Sequence, residues 1–98
     1  MRILRIKEAL RAAGNNRTQH YGQVASGLFT RPIKIGGRRA CGWPEHEVEA
    51  IVSARIAGVT DAELRHLVDL LHAQRNQRYE QLLATVGVAV PASARGFK

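Results

Sequence analysis

RPIKIGGRRACGWPEHEVEAI, Arg31–Ile51, alternates apolar and basic residues, turns at two glycines and ends in a proline-led helical pattern. Ile33 and Ile35 fall on one side of an extended chain and Lys34 on the other, the period of a half-buried strand. Gly36-Gly37 permits the positive φ angles of a tight hairpin, and Arg38 and Arg39 mark its tip. Ala40 to Trp43 forms the return strand. Pro44 suits the first position of the next helix, with Glu45, Glu47 and Glu49 at its positive end. A β-hairpin tipped with arginine is a wing suited to lying along phosphates or entering a minor groove. The alternative is an edge hairpin kept soluble by its charges.

Upstream, Met1–Ile6 is an apolar-basic lead-in, a short strand or an extended arm. Lys7–Ala13 (KEALRAA) favours a short helix, which Gly14 ends. After the Asn15-Asn16 turn, Asn16 caps a second helix, with Gln19 three residues on as its capping-box partner. That helix runs to about Ser26, and Gly27 stops it. Two short helices joined by a glycine-containing turn make a helix-turn-helix pattern. At about 100° per residue, Tyr21, Val24, Ala25 and Leu28 gather on the side expected to pack. The opposite side presents Gln19, Gly22, Gln23 and Ser26, flanked by Thr18 and His20. Glutamine bonds adenine bidentately in a major groove, and threonine serves several bases. The alternative is a solvated polar face. Gly22 lets the backbone approach a groove closely, at a cost of about 1 kcal/mol in helix stability relative to alanine. Arg17, at the helix start, can reach phosphate.

Downstream of the hairpin, Val48, Ile51, Val52 and Ile56 form the stripe of a third helix that Gly58 ends. Thr60-Asp61-Ala62-Glu63 is a capping box, so a fourth helix starts at Asp61. Leu64, Leu67, Val68 and Leu71 give it an apolar face. Gln74 to Arg78 interrupts that face, and Tyr79, Leu82, Leu83 and Val86 resume it. The expected organisation is a DNA-binding unit over 1–58, a C-terminal helix over 59–86 for packing or self-association, and a flexible tail over 87–98. The fold class is mainly α with a small β-hairpin wing.

Composition narrows the function. The chain has 98 residues and a formal net charge of +7. Residues 1–44 hold nine Lys/Arg against Glu8 alone, whereas residues 45–98 are nearly neutral. That asymmetry is the footprint of a polyanion-binding face. One cysteine, Cys41, excludes an internal disulfide framework and a thiolate zinc cluster. Trp43 reads as core and Cys41 as a small packing residue. His46, His66 and His72 show no metal-ligand spacing with each other or with Cys41, so neither a metal nor a cofactor is expected. No nucleophile–base pair or phosphate loop is visible, so the expectation is not an enzyme. No apolar run of about 18 or more residues or secretory pattern occurs, so no membrane span is expected. A bacterial cytoplasmic, nucleoid-associated location fits.

LRIKEAL, then Gly14 followed by NRTQHY, then SGLF, RPIKIGGRRACGW and EVEA lie in one order over about Leu4 to Arg55. This half of the chain resembles the AlpA-type branch of the MerR-like winged helix-turn-helix proteins, a group that includes phage and mobile-element excisionases. The resemblance implies a double-stranded DNA-binding protein whose second helix enters the major groove while its wing contacts the flanking minor groove or backbone. It carries those roles onto Arg17, Thr18, Gln19 and Gln23 of the helix and Lys34, Arg38 and Arg39 of the wing. His20 is a further candidate contact, or a packing residue. Two positions depart from the family pattern: Gly22 stands where a long basic side chain is common, and His20 where an apolar one is. For excisionase members the resemblance implies several copies on neighbouring sites, bent DNA and a tyrosine integrase partner. The same contacts serve a promoter-binding regulator, and a protein-interaction module or antitoxin is the reading from another class.

Overall fold

The computed structural model describes residues 2–37 and 40–87. Arg38 and Arg39 at the expected wing tip, and the expected tail from 88 onward, lie outside the described residues. The elements are β1 (Ile3–Arg5), α1 (Ile6–Ala13), α2 (Arg17–Ala25), β2 (Ile33–Lys34), β3 (Cys41–Pro44), α3 (Glu45–Ala57) and α4 (Asp61–Thr85). Four helices thus surround a small antiparallel sheet, an architecture compatible with a winged helix-turn-helix. No helix among the described residues is long and apolar enough to cross a membrane.

The lead-in resolves as a strand. β1 pairs with β3, with Leu4 opposite Trp43, and β2 pairs with the other edge of β3, with Lys34 opposite Cys41. The sheet order is therefore β1-β3-β2, with the return strand of the hairpin in the centre. Gly42 is what lets the strands close: a Cβ there would sit 2.7 Å from the Leu4 carbonyl oxygen and 2.7 Å from Ile3 Cγ2. The turn glycines Gly36 and Gly37 take φ values of 104° and 71°, the left-handed region that only glycine enters freely. Ile33 and Ile35 are partly buried and Lys34 is exposed, as the alternation required.

The expected helix signals lie where the capping chemistry put them. Asn16 accepts from the Gln19 amide and Thr60 from the Glu63 amide, and both boxes are reciprocal. Pro44 sits one residue earlier than expected. It remains extended at ψ 133°, closes β3 opposite Ile3 and caps α3, which begins at Glu45. The α3 stripe is also rotated from the expected one. Val48 and Ile51 are buried, but Ile56 is 82% exposed, because the inward face includes Glu47 instead.

One core joins all the helices. Leu4, Ala9, Phe29, Trp43, Val48 and Ile51 meet Leu64, Val68 and Leu71 of α4. The first half of α4 therefore packs on the preceding elements. The polar stretch 74–78 does not break α4, which continues for 25 residues, about 37 Å. Its distal half and the C-cap that follows carry Tyr79, Leu82 and Val86 more than half exposed.

Candidate nucleic-acid interface

The inward face of α2 is set by one residue. His20 is fully buried, its ring 4.4 Å from the Trp43 ring in edge contact and 4.5 Å from that of Phe29. This corrects His20 as a candidate DNA contact: its side chain is enclosed and cannot reach a duplex. It fills a slot walled by the Phe29 and Trp43 rings. Burial, and then the nearby Arg55 charge, lower its pKa, so the ring is held neutral. Neither ring nitrogen makes a hydrogen bond, which leaves the aromatic contacts to hold it.

With His20 inward, α2 is turned by roughly a quarter of a turn from the orientation its apolar residues suggested. Tyr21, expected to pack, is 39% exposed, and Ala25 is exposed too. The outward face is Thr18, Gly22 and Ala25, flanked by Arg17 and Tyr21 on one side and Gln19 and Ser26 on the other. It is a face of small side chains with an arginine at its N-terminal end.

Gln19 and Gln23 are both engaged within the protein. Gln19 Oε1 accepts the Asn16 amide at 3.0 Å while the Asn16 side chain accepts the Gln19 amide at 2.8 Å. Asn15 Nδ2 donates to Gln23 Oε1 at 2.9 Å, which pins the turn to the half-buried Gln23. Gln23 is thus a clamp on the helix-turn-helix turn and does not lie on the outward face. Ser26 is occupied as well, its hydroxyl donating to the Gly22 carbonyl at 2.9 Å. Thr18 and Arg17 are exposed and make no such bond among the described residues.

Lys34 is exposed on β2. The strand β3 couples it to α2: Trp43 packs under His20, and Cys41 two residues earlier pairs with Lys34. Helix α2 and the base of the hairpin are therefore mounted on the same four-residue strand.

Four side chains hold the connection between them; sequence reasoning placed Trp43 in the core but gave Arg65, His72 and Arg75 no part in this link. Trp43 Nε1 donates to the Thr30 carbonyl at 2.8 Å. Three contacts come from α4: Arg65 Nε donates to the Ser26 carbonyl at 3.0 Å, His72 Nε2 accepts the Arg31 amide at 3.0 Å, and Arg75 Nη2 donates to the Arg31 carbonyl at 2.8 Å. Arg75 also forms a bidentate pair with the fully buried Glu47, at 2.8 and 2.6 Å. The signal for Arg75 was its position: Leu64, Val68, Leu71 and Arg75 follow the i, i+4, i+7, i+11 course of one helix face.

The family model described as prophage CP4-57 regulatory protein (AlpA) matches residues 2–56, which span β1 through nearly all of α3. No curated protein and no solved structure matches the chain. Because the match covers more than half of the sequence and takes in both α2 and the hairpin, the chain belongs to the AlpA family of phage-related regulatory DNA-binding proteins.

Proposed function

We propose that the protein is an excisionase, a recombination directionality factor that loads beside an attachment site on double-stranded DNA and bends it for a tyrosine integrase. The observation that carries the DNA reading is the outward face of α2. Its helix is fixed from beneath by His20 and offers Thr18, Gly22 and Ala25 with Arg17 at one end. A face without bulky side chains lets a helix backbone sit deep in a major groove. Thr18 supplies a hydroxyl and a methyl to base edges, and Arg17 and Lys34 supply phosphate contacts. Readout of this kind leans on groove shape as much as on base identity. Arg38 and Arg39 extend the basic character of the wing segment in sequence. The protein acts by binding, without catalysis or a cofactor, in a bacterial cytoplasm.

Self-association on DNA completes this reading. Tyr79, Leu82, Leu83 and Val86 recur at i, i+3, i+4 and i+7 on the distal half of α4, where a second copy can pair with them. The second reading is a promoter-binding regulator with the same contacts, and the family description, a regulatory protein, favours it.

Footprinting across the DNA around its own gene, repeated at several salt concentrations, separates the two. Excisionase loading gives several phased sites that fill cooperatively, whereas a single palindrome over a promoter indicates the regulator. Affinity should fall by about 0.9 logarithmic units per phosphate contact for each tenfold rise in salt. Salt-insensitive or absent binding sinks both readings.

Gly22 tests the docking face directly. A Cβ there meets nothing within 4 Å, so Gly22→Ala fits the free protein and should stabilise it by about 0.5–1 kcal/mol. On DNA the added methyl lies between helix and groove, and affinity should drop roughly tenfold. Thermal melting and titration of a bound fragment therefore move in opposite directions. A variant that melts higher and binds equally well would place the DNA elsewhere.

A further inference from the structure

We propose that α4, beyond the family-matched region, is a positioning element of the DNA grip: His72 and Arg75 hold both backbone groups of Arg31, Arg65 holds Ser26, and the His72 contact makes wing alignment depend on pH. The inference rests on the DNA-binding reading.

The segment between α2 and β2 has no secondary structure of its own, so its backbone groups need partners from elsewhere. Four of them find side chains. Ser26 is held by Arg65, Thr30 by Trp43, and the amide and carbonyl of Arg31 by His72 and Arg75. Three of those four side chains lie past residue 56, where the family match ends. Ser26 caps the C-terminus of α2, and Arg31 stands two residues before β2. The clamp thus fixes the two ends of the link, and with them the spacing of recognition helix and wing. A two-point grip on a rigid duplex needs that spacing set before binding, because ordering a loose link on DNA costs affinity.

His72 is the titratable member. Nε2 accepts the Arg31 amide, so the ring is neutral and carries its proton on Nδ1. The charged groups around it come from each packed element: Arg31 from the link, Glu47 from α3, and Arg75 and Asp69 from α4 itself. Burial leads in lowering its pKa, and the Arg31 and Arg75 charges add to it, against Glu47 and Asp69. A base with a lowered folded pKa contributes fully above its unfolded value of about 6.5, and the contribution is lost as pH falls through the lowered value. Protonation removes the acceptor and sets an imidazolium beside Arg75. The Arg31 amide is then released, and the wing base with it.

The direction is diagnostic. A basic protein with no such device gains affinity for DNA as its histidines charge, whereas this clamp loses it. Affinity for a footprinted fragment should fall as pH drops from about 8 through the titration of His72, approaching roughly fivefold once the ring is charged, the worth of one hydrogen bond. Circular dichroism at each pH keeps global unfolding, including any that follows from His20, out of the comparison. His72→Gln retains an acceptor at every pH and should flatten the profile. In the free protein, the Arg31 amide shift should follow the titration of the His72 ring by NMR, and should not titrate in His72→Gln. If binding fails at pH 8, the DNA reading is wrong, and the Arg31 shift still decides the clamp. An amide shift indifferent to His72, an affinity that rises or holds as pH falls, or an equal fall in folded His72→Gln overturns the proposal.

Discussion

Replacing Arg75 with alanine should destabilise the protein by about 3–5 kcal/mol, a large share of the roughly 5–15 kcal/mol that folds a small domain. The reason is Glu47. Its side chain is fully buried, and both carboxylate oxygens depend on Arg75, at 2.8 and 2.6 Å. The Arg75 side chain is itself only 22% exposed, so water does not readily replace the guanidinium. Truncation would leave a carboxylate enclosed near Val48 and Ile51 and the Arg31 carbonyl without its donor. Urea denaturation of Arg75→Ala should show the loss as a lower midpoint. In a thermal scan the shift should be roughly 12–40 °C, at about 4–8 °C per kcal/mol. The double variant Glu47→Leu/Arg75→Met removes both charges and should regain most of the stability, since an apolar pair of similar size avoids the desolvation of two ions. A loss below about 1 kcal/mol in Arg75→Ala would mean that Glu47 is open to water and the pair is an ordinary surface one.

Glu47 and Arg75 also show where the sequence stopped being informative. What it expressed well is local. The Asn16-x-x-Gln19 and Thr60-x-x-Glu63 boxes, the stops at Gly14 and Gly58, and the Ile33-Lys34-Ile35 alternation each involve residues within a few positions of one another. What it hid is long-range. Glu47 and Arg75 are 28 residues apart, Arg31 and His72 41, and Ser26 and Arg65 39. No local pattern joins them. Glu47 sits among helix-start acids, where the dipole already accounts for it, and Arg75 sits in a polar run that reads as a break. Only the continuation of the Leu64–Val68–Leu71 face points to Arg75.

The candidate site divides in the same way. The helix-turn-helix and its order with the wing were legible, because turns and caps specify them. The rotation of α2 was not, because Tyr21, Val24 and Ala25 mark one side of the helix weakly and His20 has no apolar signature. Its burial is decided by Phe29 and Trp43, whose rings come from a loop and a strand. That rotation moved the outward face from the glutamines to Thr18, Gly22 and Ala25, and so changed which residues α2 presents to solvent.

Trp43 is where those two layers meet, so Trp43→Ala should be about as costly as the loss of Arg75, roughly 3–5 kcal/mol. The residue is fully buried in the middle strand, packs edge-on against His20 and Phe29, and donates its indole N–H to Thr30. Removing it takes the floor from under α2 and a donor from the link to the wing. The effect should be uneven: amide exchange should rise first in α2, while α4 keeps its own caps and its packing against Ile51. Opening the cavity also admits water to His20. Burial is the leading cause of its lowered pKa, so the value should rise towards the ordinary one. In the wild type, the stability that His20 contributes is present above about pH 6.5 and fades as pH falls through the lowered folded value. In Trp43→Ala that part of the pH dependence should flatten, because the folded and unfolded values converge. Trp43→Phe isolates the other half of the role. It keeps a ring against His20 but strands the Thr30 carbonyl, a loss of about 1–3 kcal/mol with the His20 titration still depressed. If Trp43→Ala instead melts uniformly with the wild-type acid profile, then His20 is not governed by that ring, and α2 must be oriented by Val24 and the Asn15–Gln23 clamp.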